Sequence, residues 1–172
     1  SNIDAHVQSL GAAGNRRMSL KSIANVPDQR LSRLADRYWG RIADLNHDQL
    51  LDFVVANQSG SSVSVFLGDG TGFAPTKASP LSVSSAPSGL TLVDMDGDGE
   101  LDLVTASLNG GGADIQLGDG TGAFHPVPGS PFLSAPGAFG ITTADFNGDG
   151  LLDFATAETT DNSTAIVLGL CQ

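Results

Sequence analysis

Cysteine is almost missing from this chain. Cys171 is the one thiol in 172 residues, so no intrachain disulfide can form and no cysteine-based metal spacing exists. Basic side chains are scarce as well: eight Lys and Arg face nineteen Asp and Glu, a net charge of −11. The shortage is uneven. Residues 1–41 hold seven of the eight cations and three acids, a balance of +4, while residues 42–172 hold Lys77 alone against sixteen acids, a balance of −15. So few cations cannot grip a phosphate backbone, which argues against nucleic acid and equally against an anionic membrane surface. No apolar run approaches the roughly 18–20 residues needed to cross a bilayer, so membrane insertion is not expected. No stretch reads as a signal peptide; if the protein is secreted, the signal has been removed. Strongly helical patterns are also lacking.

Gly is abundant instead, at 22 residues, together with Ser, Thr, Asn and Asp. This composition suits short strands joined by many turns. Much of it recurs in register. Ala43-Asp44-Leu45-Asn46-His47-Asp48-Gln49-Leu50-Leu51-Asp52-Phe53-Val54 aligns without gaps with Val93-Asp94-Met95-Asp96-Gly97-Asp98-Gly99-Glu100-Leu101-Asp102-Leu103-Val104, and both align with Ala144-Asp145-Phe146-Asn147-Gly148-Asp149-Gly150-Leu151-Leu152-Asp153-Phe154-Ala155. The first Asp falls at 44, 94 and 145, and 23 residues later stands Leu67-Gly68, Leu117-Gly118 or Leu168-Gly169. Two landmarks held in register three times mark a repeat.

Within each unit the pattern predicts β-structure. A strand such as 89–93 leads into the Asp-rich loop and a second, such as 103–106, leaves it. A third, 63–67, alternates Val63, Val65 and Leu67 with Ser64 and Phe66 before a Gly-rich turn at 68–72 or 118–122, whose glycines supply positive φ. A short fourth strand is expected at 73–76 and 124–127, followed by a Pro/Ser/Gly-rich connection. Four strands in a unit of about 40–50 residues is the pattern of a propeller blade. The expected architecture is therefore all-β: three four-stranded blades at 36–85, 86–137 and 138–172, the last incomplete, preceded by a basic segment at 1–35.

The three Asp loops and the Leu-Gly-Asp-Gly-Thr-Gly turns resemble the FG-GAP/VCBS repeat family, the calcium-binding propeller blades also found in integrin α-subunits. The likeness spans residues 36–170. It implies an extracellular setting and a role in adhesion, ligand binding or as an accessory domain of a secreted enzyme. Family propellers usually have seven blades.

The loop spacing itself points to calcium. With the first Asp as position 1, side-chain oxygens stand at positions 1, 3, 5 and 9: Asp44, Asn46, Asp48 and Asp52; Asp94, Asp96, Asp98 and Asp102; Asp145, Asn147, Asp149 and Asp153. Alternate residues on a tightly turned backbone can aim their oxygens at one point. The position 7 carbonyls of Leu50, Glu100 and Leu151 add another donor. With water, this supplies the six to eight oxygens Ca²⁺ prefers, whereas Mg²⁺ demands a smaller octahedron. Ten of the nineteen acids fill these positions, which favours up to three calcium sites over plain polar turns. No His or Cys is placed for zinc or copper. An EF-hand would need Glu at position 12, where Val55, Thr105 and Thr156 stand, and flanking helices; a dockerin-type loop would also continue into a helix. Affinity is expected to fall in the order second, third, first loop. The second has four carboxylates with Glu100 nearby, while in the first His47 and Gln49 replace two glycines. His47 is expected to be exposed and not a ligand.

The third repeat ends too soon for a fourth strand. Residues 17–24 alternate polar and apolar side chains and could supply it; a loose basic leader is the other possibility. Three blades do not close a ring alone, so the chain is expected to self-associate or to belong to the remainder of a propeller. Two copies could pair as a six-bladed ring, a non-closing contact would give a fibre, and a longer propeller could include this piece.

No catalytic set is evident. There is no Gly-x-Ser-x-Gly elbow, His-Glu-x-x-His motif or phosphate loop, and His6, His47 and His125 share no motif. The expected function is a non-catalytic, calcium-stabilised module for adhesion, for binding protein or carbohydrate, or for structural assembly. The alternative is part of a secreted hydrolase whose catalytic residues lie elsewhere. Tyr38 and Trp39 are expected to pack in the first strand of the first repeat and not to form a sugar platform. Asn57-Gln58-Ser59 and Asn162-Ser163-Thr164 match the glycosylation triplet, which arises often by chance.

Overall fold

The computed structural model describes residues 40–109, 112–133 and 137–169. The candidate strand at 17–24, Tyr38, Trp39 and Cys171 lie outside them. The described residues contain no α-helix, and no helix long and apolar enough to cross a membrane. They form three antiparallel sheets in chain order. The first holds β1 (Gly40–Ala43), β2 (Asp52–Asn57), β3 (Ser62–Gly68), β4 (Phe73–Pro75) and β5 (Leu81–Ser82). The second holds β6 (Pro87–Val93), β7 (Asp102–Ser107), β8 (Gly112–Gly118), β9 (Phe124–Pro126) and β10 (Phe132–Leu133). The third holds β11 (Ala138–Ala144), β12 (Asp153–Glu158) and β13 (Ser163–Val167).

The first three strands of each sheet lie where the alternation predicts them. The fourth differs, because it is split. β4 and β5 both pair with β3, at opposite ends of it, and β9 and β10 do the same on β8. Residues 76–80 and 127–131 detour between the two pieces. The detour stays bonded to the sheet: the Thr76 and Val127 N–H groups donate to the Val65 and Ile115 carbonyls (3.0 and 3.1 Å). The Ser79 and Ser130 hydroxyls accept from the Val65 and Ile115 N–H groups (both 3.1 Å). A Ser-Pro pair with a cis peptide, Ser79-Pro80 or Ser130-Pro131, ends each detour. What reads as a free connection between repeats is thus partly strand.

Each sheet packs face to face on the next. Residues opposite one another in an antiparallel pair share a face, and so Val54, Ala56, Val63 and Val65 of the first sheet meet Leu90, Leu103 and Phe124 of the second, with Leu45 and Leu81. Val104, Ala113 and Ile115, on the opposite face of the second sheet, meet Phe154, Ile141 and Val167 of the third. Val54, Val63, Val65, Leu103, Val104 and Ala113 are all fully buried. A third cluster, Phe53, Val55 and Phe66 with Ile42 and Phe73, lies on the far face of the first sheet, where the Phe53 and Phe66 rings stack at 6.5 Å. The leading strands also touch. Gly89 of β6 lies so close to β11 that a Cβ there would meet the Phe139 oxygen at 3.1 Å, and the Ser88 hydroxyl donates to the Ala138 carbonyl across the gap (2.7 Å).

Candidate metal centre

Each Asp loop joins the first strand of its sheet to the second, so all three lie at the same end of their sheets. Positions 4 and 6 turn the chain back, and in every loop both have positive φ: Gly97 and Gly99 at 81° and 94°, Gly148 and Gly150 at 79° and 86°, His47 and Gln49 at 59° and 68°. The first loop therefore holds two side-chain-bearing residues in the left-handed region, at a cost of about 1–2 kcal/mol each. Glycine avoids that cost in the other two loops.

The position 1 carboxylate organises the turn. Asp94 accepts from the Gly97 and Gly99 N–H groups (2.7 and 3.0 Å), and Asp145 from Gly148 and Gly150 (2.6 and 2.9 Å). Asp44 accepts from Asp48 and Gln49 (3.2 and 2.8 Å). These bonds, chiefly that from Gly150, hold the Asp145 carboxyl below its ordinary pKa. Position 5 accepts from the position 7 N–H in each loop: Asp48 from Leu50, Asp98 from Glu100 (both 2.8 Å), Asp149 from Leu151 (2.9 Å).

Position 9 is different in kind. Asp52, Asp102 and Asp153 are fully buried. One oxygen of each accepts from the position 2 N–H, of Leu45, Met95 or Phe146 (2.7, 2.7 and 2.8 Å). The other accepts from Gly68, Gly118 or Gly169 (2.8, 2.8 and 2.7 Å), 16 residues on. The two repeated landmarks are therefore one structural unit: the Asp at the loop's end holds the Gly of Leu-Gly. That Gly has no substitute, because a Cβ would press on the carbonyl oxygen of Leu51, Leu101 or Leu152. Burial pushes the carboxyls of Asp52 and Asp102 above their ordinary pKa, against the lowering effect of these N–H bonds. A cation beside them would remove that penalty.

Oxygens of Asp94, Asp96 and Asp102 lie within 4.8 Å of one another. The second loop thus gathers positions 1, 3 and 9 about one point, with oxygen donors only, which fits Ca²⁺. Asp98 is not part of that group. The first and third loops place Asn at position 3, and its amide donates to position 5, Asn46 to Asp48 and Asn147 to Asp149 (3.0 and 2.9 Å). In the second loop Asp96 takes that position and has no amide to donate, so the bond that joins positions 3 and 5 in the other two loops has no counterpart there.

Two features escape a reading of the sequence. His47 is exposed, as expected, but its Nε2 meets the Glu100 carboxylate at 2.6 Å and joins the first loop to the second. The hydrogen bond to Glu100 raises the His47 pKa above its ordinary 6.5. The Glu100 side chain is thereby directed to a neighbouring loop. Asp69 and Asp119 have a local task. Asp69 accepts from the Thr71 N–H and hydroxyl and the Gly72 N–H (all 2.7 Å), and Asp119 from the Thr121 N–H and hydroxyl (2.9 and 2.6 Å). Both carboxyls are held below their ordinary pKa, first by the Thr hydroxyl. These acids close the Gly-rich turns.

No curated protein and no solved structure matches the chain significantly. The FG-GAP-like repeat family matches twice, over residues 44–105 and 94–156. Each match runs from position 1 of one loop into the strand that follows the next loop. Together they span 113 of the 172 residues. The order of strands, the loop that organises each sheet and these matches agree: the chain belongs to the FG-GAP-like repeat family.

Proposed function

We propose that this chain is a non-catalytic, calcium-stabilised extracellular module, built as a run of β-propeller blades for adhesion, ligand binding or assembly. Repeats of this family commonly bind calcium, are typically extracellular and are generally non-catalytic. One observation carries the proposal: the convergence of Asp94, Asp96 and Asp102 in a loop that recurs three times. Calcium would be held in the second loop by these residues with Asp98 and the Glu100 carbonyl. In the first and third loops it would be held by Asp44, Asn46, Asp48, Asp52 and the Leu50 carbonyl, and by Asp145, Asn147, Asp149, Asp153 and the Leu151 carbonyl.

The ion supplies charge neutralisation where carboxylates crowd. The chain's own residues do the rest. Positions 1 and 5 shape the turn, and position 9 ties it to the Leu-Gly segment of the third strand. Binding to the folded state alone stabilises it by mass action, about 2.7 kcal/mol at a free concentration of 100 Kd for one site. Melting in millimolar calcium and in excess EDTA is the test. A large fall in Tm with chelator is expected, with calorimetry showing the second loop tightest. Identical melting curves would refute structural calcium.

A further inference from the structure

We propose that Asn162 is an acceptor for an N-linked glycan and that Asn57 is not, a proposal that rests on the extracellular setting given above and not on calcium. The chain carries the acceptor triplet twice, as Asn57-Gln58-Ser59 and Asn162-Ser163-Thr164. In sequence the two are equivalent, since each has the hydroxyl two residues on that the triplet requires. A glycan is bulky and hydrophilic, so it needs a surface amide with room beyond it.

Both triplets lie where the second strand of a sheet turns into the third, at the end away from the Asp loops. They sit differently in that turn. Asn57 is the last residue of β2, half-buried and opposite Ser62. Its amide nitrogen donates to the Ser62 and Ser64 hydroxyls (3.2 and 2.8 Å), so both of its hydrogens are committed. A sugar on that nitrogen would displace one of them and intrude on β3.

Asn162 is the last residue of the tip between β12 and β13, and residues 159–162 are all exposed. Its φ of 55° is left-handed, a conformation that Asn adopts more readily than most side-chain-bearing residues. Its neighbours are tied down. The Thr159 N–H and hydroxyl donate to the Gly137 carbonyl (both 2.9 Å), and the Ser163 N–H and hydroxyl donate to the Asp161 carboxylate (3.2 and 2.6 Å). The Asn162 amide itself has no hydrogen-bond partner among the described residues. This exposure does not depend on which sheet comes last. Ser61 holds the same repeat position in the first sheet, also at positive φ (48°), and Ser59 and Gly60 beside it are exposed although the second sheet packs on the first.

The donor for such a transfer is a lipid-linked oligosaccharide diphosphate. Nδ2 of Asn162 bonds to the anomeric carbon of the first sugar, the bond from that carbon to the diphosphate oxygen breaks, the lipid diphosphate leaves, and Nδ2 gives up one proton. No oxidant or reductant enters.

The full chain, secreted from eukaryotic cells behind an added signal, is read by mass spectrometry of its peptides before and after a glycosidase. One glycan, on Asn162, is expected. Asn162→Gln and, independently, Thr164→Ala should remove it, whereas Asn57→Gln should leave the glycan mass unchanged. Glycosylated and stripped chains should melt alike, because a sugar on a free surface amide displaces no contact. A glycan recovered on Asn57 of the folded chain, or a bare Asn162 in the secreted wild type, overturns the proposal, and so does a glycan that lowers Tm. Because the signal is supplied, a bare Asn162 counts against the acceptor alone. Residence is read apart from it, by fractionating cells that make the chain natively, and a chain retained inside them overturns the extracellular setting.

Discussion

Replacing Asp102 by Ala removes two acceptors at once and leaves the Met95 and Gly118 N–H groups without them. Both bonds are short, at 2.7 and 2.8 Å, and both end on a fully buried carboxylate. A hydrogen bond to a charged group contributes about 1.5–3 kcal/mol, so the gross loss is about 3–6 kcal/mol. Burial of the carboxylate offsets part of that, as its raised pKa shows. A net loss of about 3 kcal/mol is expected. The comparison variant is Asp98→Ala. Asp98 is exposed and accepts one bond in the loop, from Glu100, so its loss should cost about 1 kcal/mol or less. Urea unfolding in EDTA isolates these structural terms, and repetition in calcium adds the effect of a lost ligand to both. Asp102→Asn keeps one acceptor oxygen and should cost about half as much as Asp102→Ala. The pH dependence follows from the same burial. A pKa raised above the ordinary 3.8 means this group's contribution in metal-free protein is full below about pH 3.8 and is lost as pH rises through the elevated value. Calcium, which requires the carboxylate, opposes that loss. If Asp102→Ala in EDTA proves no more costly than Asp98→Ala, the carboxylate is a ligand only and the structural tie is wrong.

Three further outcomes can be checked. Gln49→Gly relieves a left-handed residue and should raise stability by about 0.5–1 kcal/mol in chelator, with tighter calcium binding in the first loop; a loss of stability would contradict the strain. Leu103→Ala empties a fully buried position between the first and second sheets and should cost about 2–5 kcal/mol by chemical unfolding; under about 1 kcal/mol would mean the sheets do not pack as described. The His47 imidazole, followed by NMR, should titrate above 6.5, and Glu100→Gln should return it toward that value. Because the folded pKa is raised, its stabilising contribution is complete below pH 6.5 and vanishes as pH rises through the folded value. A wild-type titration at or below 6.5 would remove the link between the loops.

The sequence by itself determined the repeat, the first three strands of each unit and the turn chemistry of the loops, because these are local. Alternation in Val63–Leu67 selects a strand and its buried face. Glycine at 97, 99, 148 and 150 marks the positive φ that the turn needs, and the same two positions forced His47 and Gln49 into it. Family membership follows from the same residues. Tertiary structure decided what the landmarks do to one another. That Asp52, Asp102 and Asp153 hold the Leu-Gly glycines is a contact across 16 residues, and the His47–Glu100 link spans 53. Spacing records the constancy of the first but not its cause. The split fourth strand was hidden because Thr76 and Val127 bond to the sheet through backbone alone, and Ser79 and Ser130 bond in place of a backbone acceptor. Above all, Val65 and Ile166 stand at the same position of the repeat, yet one is fully buried and the other 55% exposed. Val65 lies in the core that the first sheet shares with the second, and only the packing of the chain supplies that neighbour.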